Sequence, residues 1–351
     1  MTIILGVLFH FTGGFASGSF YMAFRKVKAW AWESYWTIGG LFSWLIVPPL
    51  AALLTVPGFA NVIRDTNPEV VAVTYTMGVL WGIGGLTYGL GIRYLGMSLG
   101  NSVILGYCAA FGSLVPPLYY NYFPAEHKTS LSQMLQSAAG QWVLAGVVVC
   151  LIGIFICGRA GVLKEKEQSD HDKRGAIAEF SLVRGLIVAT ISGILSACFN
   201  FGIEAGKAMA ESAVHYGYNP LFQNNVTYVV LLWGGLTTNL IWCLVLNAKN
   251  KTFRDYIDVR KPLSRNYFFS ALAGTTWFLQ FFFYGMGESK LGNGASSWIL
   301  HMAFIILVSN VWGLTLKEWK GVSRRTSFTI ITGIITILAS VILVGYGNSL
   351  N

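Results

Sequence analysis

Apolar runs alternate with short polar loops along the whole chain. They lie near residues 3–24, 34–55, 70–92, 97–120, 139–158, 183–206, 222–246, 267–287, 294–316 and 326–347. About 20 apolar residues cross a bilayer core as a helix, so the pattern predicts an all-α integral membrane protein with ten transmembrane helices. Pro48-Pro49 and Pro116-Pro117 fall within or near the ends of the second and fourth runs, where a missing amide donor predicts a kink or an end. One long stretch of mixed charge, RAGVLKEKEQSDHDKRGAIAEFSL at 159–182, interrupts the rhythm. It is read as a linker between a first five-helix repeat, 1–158, and a second, 183–351. Five is odd, so the second set enters the membrane from the opposite side, and the expected fold is a pair of inverted repeats.

Residue identities strengthen that reading. Trp81, Tyr88, Gly89, Gly91, Leu95 and Gly96 recur 196 residues later as Trp277, Tyr284, Gly285, Gly287, Leu291 and Gly292. A shift of 179 places Gly6, Gly14, Ser17, Phe20 and Lys28 on Gly185, Gly193, Ser196, Phe199 and Lys207; a shift of 187 places Gly146 and Gly158 on Gly333 and Gly345. The first match is the most specific, because two rare aromatics and three glycines keep their spacing without a gap.

Composition excludes a soluble protein: 54% of residues are hydrophobic and 11% charged, against roughly 25% charged in an ordinary soluble domain. The net charge of +9 is spread over short loops, which points to orientation and not to nucleic acid. Twenty of the 24 Lys and Arg residues fall on one side of the ten-helix pattern, leaving Arg64, Lys128, Lys207 and Lys290 on the other. The positive-inside rule makes the first side cytoplasmic and puts both termini outside, which is periplasmic for a bacterial inner-membrane protein. The N-terminal run has no basic residues ahead of it and is read as a retained helix. The five cysteines lie in apolar runs without CxxC spacing, so no metal site or cofactor is expected.

Carriers built from inverted repeats hold substrate near the midplane between the halves, so inward polar stripes mark the candidate site. His10, Gly14, Ser17 and Tyr21 share one face of the first helix, Gly193, Ser196, Asn200 and Glu204 one face of the sixth, and Trp277, Gln280, Tyr284 and Glu288 one face of the eighth. Tyr88 and Tyr284 lie toward opposite sides and are read as a pair of gates, with interface-belt tyrosines as the alternative. His10 and His301 sit inside apolar runs, where an ionisable group is costly and an imidazole can exchange a proton; the alternative is a neutral histidine holding one interhelical bond. Glu204 is a third proton candidate, with an ion pair to Lys207 at i+3 as the alternative. Glu33 is read as an interface anchor, and Asn224, Asn225 and Thr227 as capping polarity at a helix start. Aromatic residues beside amide, imidazole and hydroxyl groups, with no arginine deep inside the runs, suit a small neutral sugar.

The blocks FYMAFRKVKAWAWE (20–33), WGIGGLTYGLGIRYLGMSLG (81–100), FLQFFFYGMG (278–287), SWILHM (297–302) and LKEW (316–319) resemble the bacterial L-rhamnose/proton symporter family, within the drug/metabolite transporter superfamily. The resemblance implies a ten-helix carrier importing L-rhamnose, or a related deoxy or pentose sugar, with proton entry. Onto this chain it carries His10, Tyr21, Trp81, Tyr88, Gln280, Tyr284, Trp298 and His301. The expected substrate site is His10, Ser17, Tyr21, Trp81, Asn200, Gln280, Tyr284, Trp298 and His301, with the proton as coupling ion. A metabolite exporter or exchanger of the same superfamily remains open. An enzyme is not expected, since no nucleophile, metal or phosphate-loop arrangement stands out.

Overall fold

A computed structural model describes residues 2–95, 97–124, 128–167, 182–316 and 319–350. Gly96 of the repeated motif, 168–181 of the expected linker, and Lys317 and Glu318 of the last block lie outside the described residues. The described chain is helical. Its long helices are α1 (Thr2–Ser19), α2 (Trp32–Thr55), α3 (Pro68–Leu95), α4 (Met97–Tyr122), α5 (Ala138–Glu167), α6 (Leu182–Ala205), α7 (Asn224–Asn250), α8 (Leu263–Leu291), α9 (Gly294–Thr315) and α10 (Arg324–Ser349). Among the described residues nine helices are long and apolar enough to cross a membrane, and α8 is not one of them. The reason is visible in its sequence. This 29-residue helix buries Asn266, Ser270, Gln280, Tyr284 and Glu288 against other helices, so its polarity faces inward.

Local chemistry sets the element ends. Asn293 caps α9 by accepting from the Ser296 amide, and Ser323 caps α10 by accepting from Thr326. Gly292, at φ 68°, closes α8 in the left-handed conformation. The two proline pairs act differently. Before Pro48-Pro49, α2 widens into a π-helical turn over Leu41–Ile46, as expected where proline removes donors and crowds the preceding carbonyls. Pro116-Pro117 does not end α4, which continues to Tyr122. Helix α5 runs on to Glu167, eight residues past the expected start of the linker at 159.

The neighbour relations fall into matching sets. α1 packs on α8 and α9, as α6 packs on α3 and α4; α2 packs on α8, as α7 packs on α3; α5 and α10 pack along each other. Small residues permit the closest of these. Gly146 and Gly153 of α5 face Val344 and Ile337, while Gly333 of α10 faces Cys157, and an added Cβ at any of them would lie within 2.8 Å of its neighbour. Helices α1, α2, α8 and α9 thus form one group, and α3, α4, α6 and α7 another.

The end carrying Thr2 and Ser349 is here the terminal end; there Gly6 meets Leu291, and Ser296 Oγ donates to Asn348 Oδ1 (3.1 Å). The opposite, loop end is tied by the 26–34 segment against 247–266. Lys28 and Asn266 exchange two hydrogen bonds (3.0 and 2.7 Å), and Asp255 accepts from the Ala31 amide and Ser34 Oγ (both 2.8 Å). Many large apolar side chains, such as Ile4, Leu54, Phe155, Phe328 and Ile342, stay exposed on the outer faces. On helices of this apolarity such faces are solvated by lipid.

Candidate functional site

The two helix groups enclose a cavity of about 370 Å³. One wall is a cage of indoles. Trp81 of α3 and Trp277 of α8, corresponding positions of the repeated motif, meet at 5.7 Å between ring centroids, and Trp44 of α2 stands edge-on to both, at 6.2 and 5.8 Å. Phe199 and Phe281 stack behind them at 3.9 Å. Polar side chains in the lining are Ser17, Ser43, Tyr88, Ser196, Asn239, Gln280 and His301; Asn239 accepts from Trp36 Nε1 and Gln280 donates to the Trp277 carbonyl, so two of them stand beside the indoles. None of the lining residues is charged.

Of the residues expected in the site, Ser17, Trp81, Tyr88, Gln280, Trp298 and His301 line this cavity. His10, Asn200 and Tyr284 form the layer next to it, on the terminal side. The Tyr284 ring stands 5.2 Å from both His10 and His301, edge-on to each, and the two imidazole centroids are 6.4 Å apart. Tyr284 OH donates to Asn200 Oδ1 (3.3 Å), and Asn200 Nδ2 donates to the Gly112 carbonyl (2.8 Å). Trp298 Nε1 donates to the Cys108 carbonyl (3.0 Å). Tyr284–Asn200 and Trp298–Cys108 join the two helix groups across the cleft, while Asn200–Gly112 ties α6 to α4 within one of them. Gly287 makes room for the layer, since an added Cβ would sit 2.7 Å from His10 Nε2.

Tyr21 departs from the arrangement. The α1 helix ends at Ser19, and Tyr21, almost half exposed, packs edge-on to Phe20 and Phe24 outside the cavity lining. Glu204 is also outside the lining, and its partner is not Lys207. It accepts from Lys128 Nζ and from Tyr120 OH (3.1 Å), while Lys207 pairs with Glu288 (3.2 Å). Glu288 is almost fully buried and also accepts from Asn224 Nδ2 (2.6 Å). Asn224 is therefore an interhelical donor and not a cap; Asn225 donates to Thr55 Oγ1 and Thr227 to the Gly206 carbonyl. Glu33, at the loop end, accepts from Asn250 and Thr252 (both 2.9 Å).

Sequence reasoning missed Trp36, Trp44 and Asn239, which line the cavity together, Trp36 Nε1 donating to Asn239 Oδ1 (3.4 Å). The only local signal was Trp44 lying four residues before Pro48, in the turn that the prolines distort. On the terminal side the cleft is closed by Tyr284–Asn200, Trp298–Cys108, Asn224–Glu288 and Lys207–Glu288. Toward the loop end the cavity is bordered by Phe20, Phe24 and Trp36.

A sequence model of the family described as L-rhamnose-proton symport protein (RhaT) matches residues 1–349. The chain is 37% identical over 350 residues to the L-rhamnose-proton symporter of Yersinia pestis (strain Pestoides F), covering 98% of each. It is 36% identical over 354 residues to the L-rhamnose-proton symporter of Cronobacter sakazakii (strain ATCC BAA-894), covering 99% of each. One solved structure, described only as "Crystal structure of protein", superposes with a TM-score of 0.53 at 15% identity over 97% of this chain and 96% of its own, a likeness of fold alone. Matched over nearly its whole length, this multi-pass membrane chain belongs to the L-rhamnose-proton symport protein (RhaT) family.

Proposed function

We propose that the chain imports L-rhamnose together with a proton across the bacterial inner membrane. The observation that carries this reading is the cavity itself: an indole cage with amide, imidazole and hydroxyl groups in the same lining, and no charged side chain among its described lining. A pyranose has apolar C–H patches and hydroxyls around its ring, so it suits the indoles by stacking and the polar lining groups by hydrogen bonds. The names of the relatives at 36–37% identity, which specify L-rhamnose and a proton, support the same substrate pair.

In this reading ten transmembrane helices form two inverted five-helix repeats within the drug/metabolite transporter superfamily. The halves are 1–158 and 183–351, joined through 159–182. The matched neighbour relations of α1 with α8 and α9 and of α6 with α3 and α4 support it, as does the meeting of Trp81 with Trp277. The charge bias of the loops places the terminal end, and with it both termini, in the periplasm. In that orientation Tyr284–Asn200 and Lys207–Glu288 hold the periplasmic side together. Tyr284 acts in the periplasmic gate and Tyr88, on the opposite side of the cage, in the cytoplasmic one.

Trp81, Gln280, Trp298 and His301 hold the sugar, with Ser17 at the edge of the cavity. His10 and His301 bind the coupling proton. A proton driven inward yields about 2.3 kcal/mol per 100 mV, sufficient for roughly a 50-fold sugar gradient at that potential. Coupling requires that protonation change the sugar affinity or the balance of the two states, and both imidazoles contact the Tyr284 ring that closes one of them. Glu204, tied to Lys128 and Tyr120 away from the cavity, serves the periplasmic closure instead.

Purified protein screened by thermal shift against L-rhamnose, L-fucose, L-lyxose, D-mannose and D-glucose tests the substrate, because a ligand of the folded state raises its stability. L-rhamnose is expected to give the largest shift. No shift with any of the five would overturn the assignment.

A further inference from the structure

Two glycine crossings set α2 and α7 in corresponding places. Gly274 of α8 lies so close to Gly39 of α2 that an added Cβ would overlap the Gly39 carbonyl. Gly78 of α3, 196 residues before Gly274, crosses α7 in the same manner, and its Cβ would overlap the Leu231 carbonyl and lie 3.1 Å from the Gly234 Cα. Aligned on these crossings, GGLFSWLI at 39–46 falls on GGLTTNLI at 234–241, with five of the eight residues identical and no gap. Trp44 and Asn239 are thus mates, and both line the cavity.

The same pairing extends round the cavity. Ser17 and Trp277 have like mates in Ser196 and Trp81, as Tyr88 has in Tyr284. Gly13 of α1 lies against the Gln280 carbonyl, and its mate Ser192 donates to the Gly84 carbonyl (2.8 Å), so Gln280 falls on Gly84. Gly14 lies against Phe304 Cβ and the Ile305 amide as its mate Gly193 lies against Tyr107 Cβ and the Cys108 amide. That shift of 197 puts His301 on Ile104, which with Ala189 packs against Gly91. The first helix group therefore brings an amide and an imidazole where the second has glycine and isoleucine. Among the described lining residues the hydroxyl and amide side chains of the second group are Tyr88, Ser196 and Asn239. Only Asn239 differs in kind from its mate.

The Asn239 amide is held in one orientation. Its Oδ1 accepts from Trp36 Nε1 (3.4 Å), and its Nδ2 donates to the Gly235 carbonyl (3.0 Å), so the two ends of the amide are told apart by their partners. A primary amide has two N–H donors and two oxygen lone pairs, and these bonds use one of each. The other donor and the other lone pair belong to a side chain on the cavity lining, in a residue only 5% exposed. Hydroxyl groups, which both donate and accept, complement that pair.

We infer that Asn239 is a specificity-determining residue, which reads ring hydroxyls of the sugar from the second helix group. Its free N–H donates to a hydroxyl, its free lone pair accepts from one, and Trp36 positions it. Where the second group offers this amide, the first offers the Trp44 indole, edge-on to Trp81 and Trp277. Two mated positions thus supply an apolar surface and a hydrogen-bonding group, and the sugar is held in one orientation despite the repeat. This rests on the sugar reading above and adds a residue that selects among sugars.

The test is binding of L-rhamnose and its 2-deoxy, 3-deoxy and 4-deoxy analogues to purified protein, by isothermal titration, for wild type, Asn239→Leu and Asn239→Ser. Loss of one hydrogen bond in a buried site weakens binding about tenfold. Wild type is expected to bind the analogue, or adjacent pair of analogues, lacking the hydroxyls read by Asn239 about tenfold more weakly than L-rhamnose. In Asn239→Leu that ratio should fall to about one while the remaining ratios stay as in wild type. Should the leucine variant not fold, the smaller serine decides by the same ratios. Ratios unchanged for all three analogues, or altered alike for all three, overturn the inference, since a residue that only supports the cavity wall does not distinguish one hydroxyl from another. A wild type that binds none of the four sugars overturns instead the sugar reading itself.

Discussion

Placing a methyl group at Gly287 perturbs the proposed proton layer from its backbone side. In Gly287→Ala the new Cβ would lie 2.7, 2.8 and 2.9 Å from Nε2, Cδ2 and Cε1 of His10. Comfortable contact begins near about 3.5 Å, so the imidazole must retreat by roughly 0.8 Å. It has no free side to retreat to, since His10 is fully buried with Tyr284 and His301 beside it. Overpacking of that kind costs about 1–3 kcal/mol, and it displaces a ring proposed to bind the coupling proton. The repeat supplies the control. In Gly91→Ala the Cβ meets the terminal methyl of Ile104 at 2.9 Å and Ala189 only at 3.6 Å; a flexible methyl yields at little cost. Thermal denaturation in detergent should therefore show Gly287→Ala clearly less stable than wild type and Gly91→Ala close to it. Proteoliposome uptake should show weakened proton-driven accumulation in the first alone. If the two variants match in stability and coupling, the packing account of the His10 layer is wrong.

Other perturbations follow the same geometry. Trp81→Ala or Trp277→Ala removes one face of the indole cage, worth about 1.5 kcal/mol or more of stacking; the concentration of L-rhamnose giving half-maximal uptake should rise about tenfold. Lys207→Met leaves the buried Glu288 with Asn224 alone, and allowing for a lysine that is one quarter exposed, closure of the terminal end should weaken by roughly 2 kcal/mol. Thiol labelling of a cysteine introduced at Ser289 should speed up, and adding Glu288→Gln should restore part of the closure. At the loop end, burial pushes the Asp255 carboxyl up, but bonds from Lys261, the Ala31 amide and Ser34 outweigh it and hold it below the ordinary carboxylate range. A depressed carboxylate stabilises fully above its unfolded value and loses that contribution as pH falls through the folded one. The destabilisation in Asp255→Asn should thus be constant from pH 5.5 to 8 and shrink only below about pH 4, so transport changes near neutrality should survive in this variant.

How much of this was legible in the sequence depends on whether the information was local. Helix positions follow from apolar runs, and the repeated Trp and Tyr-Gly motif brought Trp81, Tyr88, Trp277 and Tyr284 to notice because their spacing recurs 196 residues apart. Partners across helices were not legible. Glu204 and Lys207 stand one turn apart, the spacing of an ion pair, yet each finds a closer tertiary partner in Lys128 and Glu288. Asn224 stands at a helix start, where capping is the local expectation, and instead satisfies the Glu288 carboxylate. Trp44 and Asn239 meet in the cavity from α2 and α7, but neither belongs to a motif that periodicity could expose. Tyr21 continues the α1 stripe only on the assumption of an unbroken helix, and the helix is interrupted at Phe20, with Tyr21 opening a separate short helix, Tyr21–Phe24.

The most direct test of the central claim is the external pH of lightly buffered proteoliposomes when L-rhamnose is added outside with no other gradient. Proton-coupled entry should raise the external pH as protons accompany the sugar, with collapse of the signal on adding a protonophore. Entry of labelled rhamnose without any pH change, or a pH change with no rhamnose entry, would contradict the account.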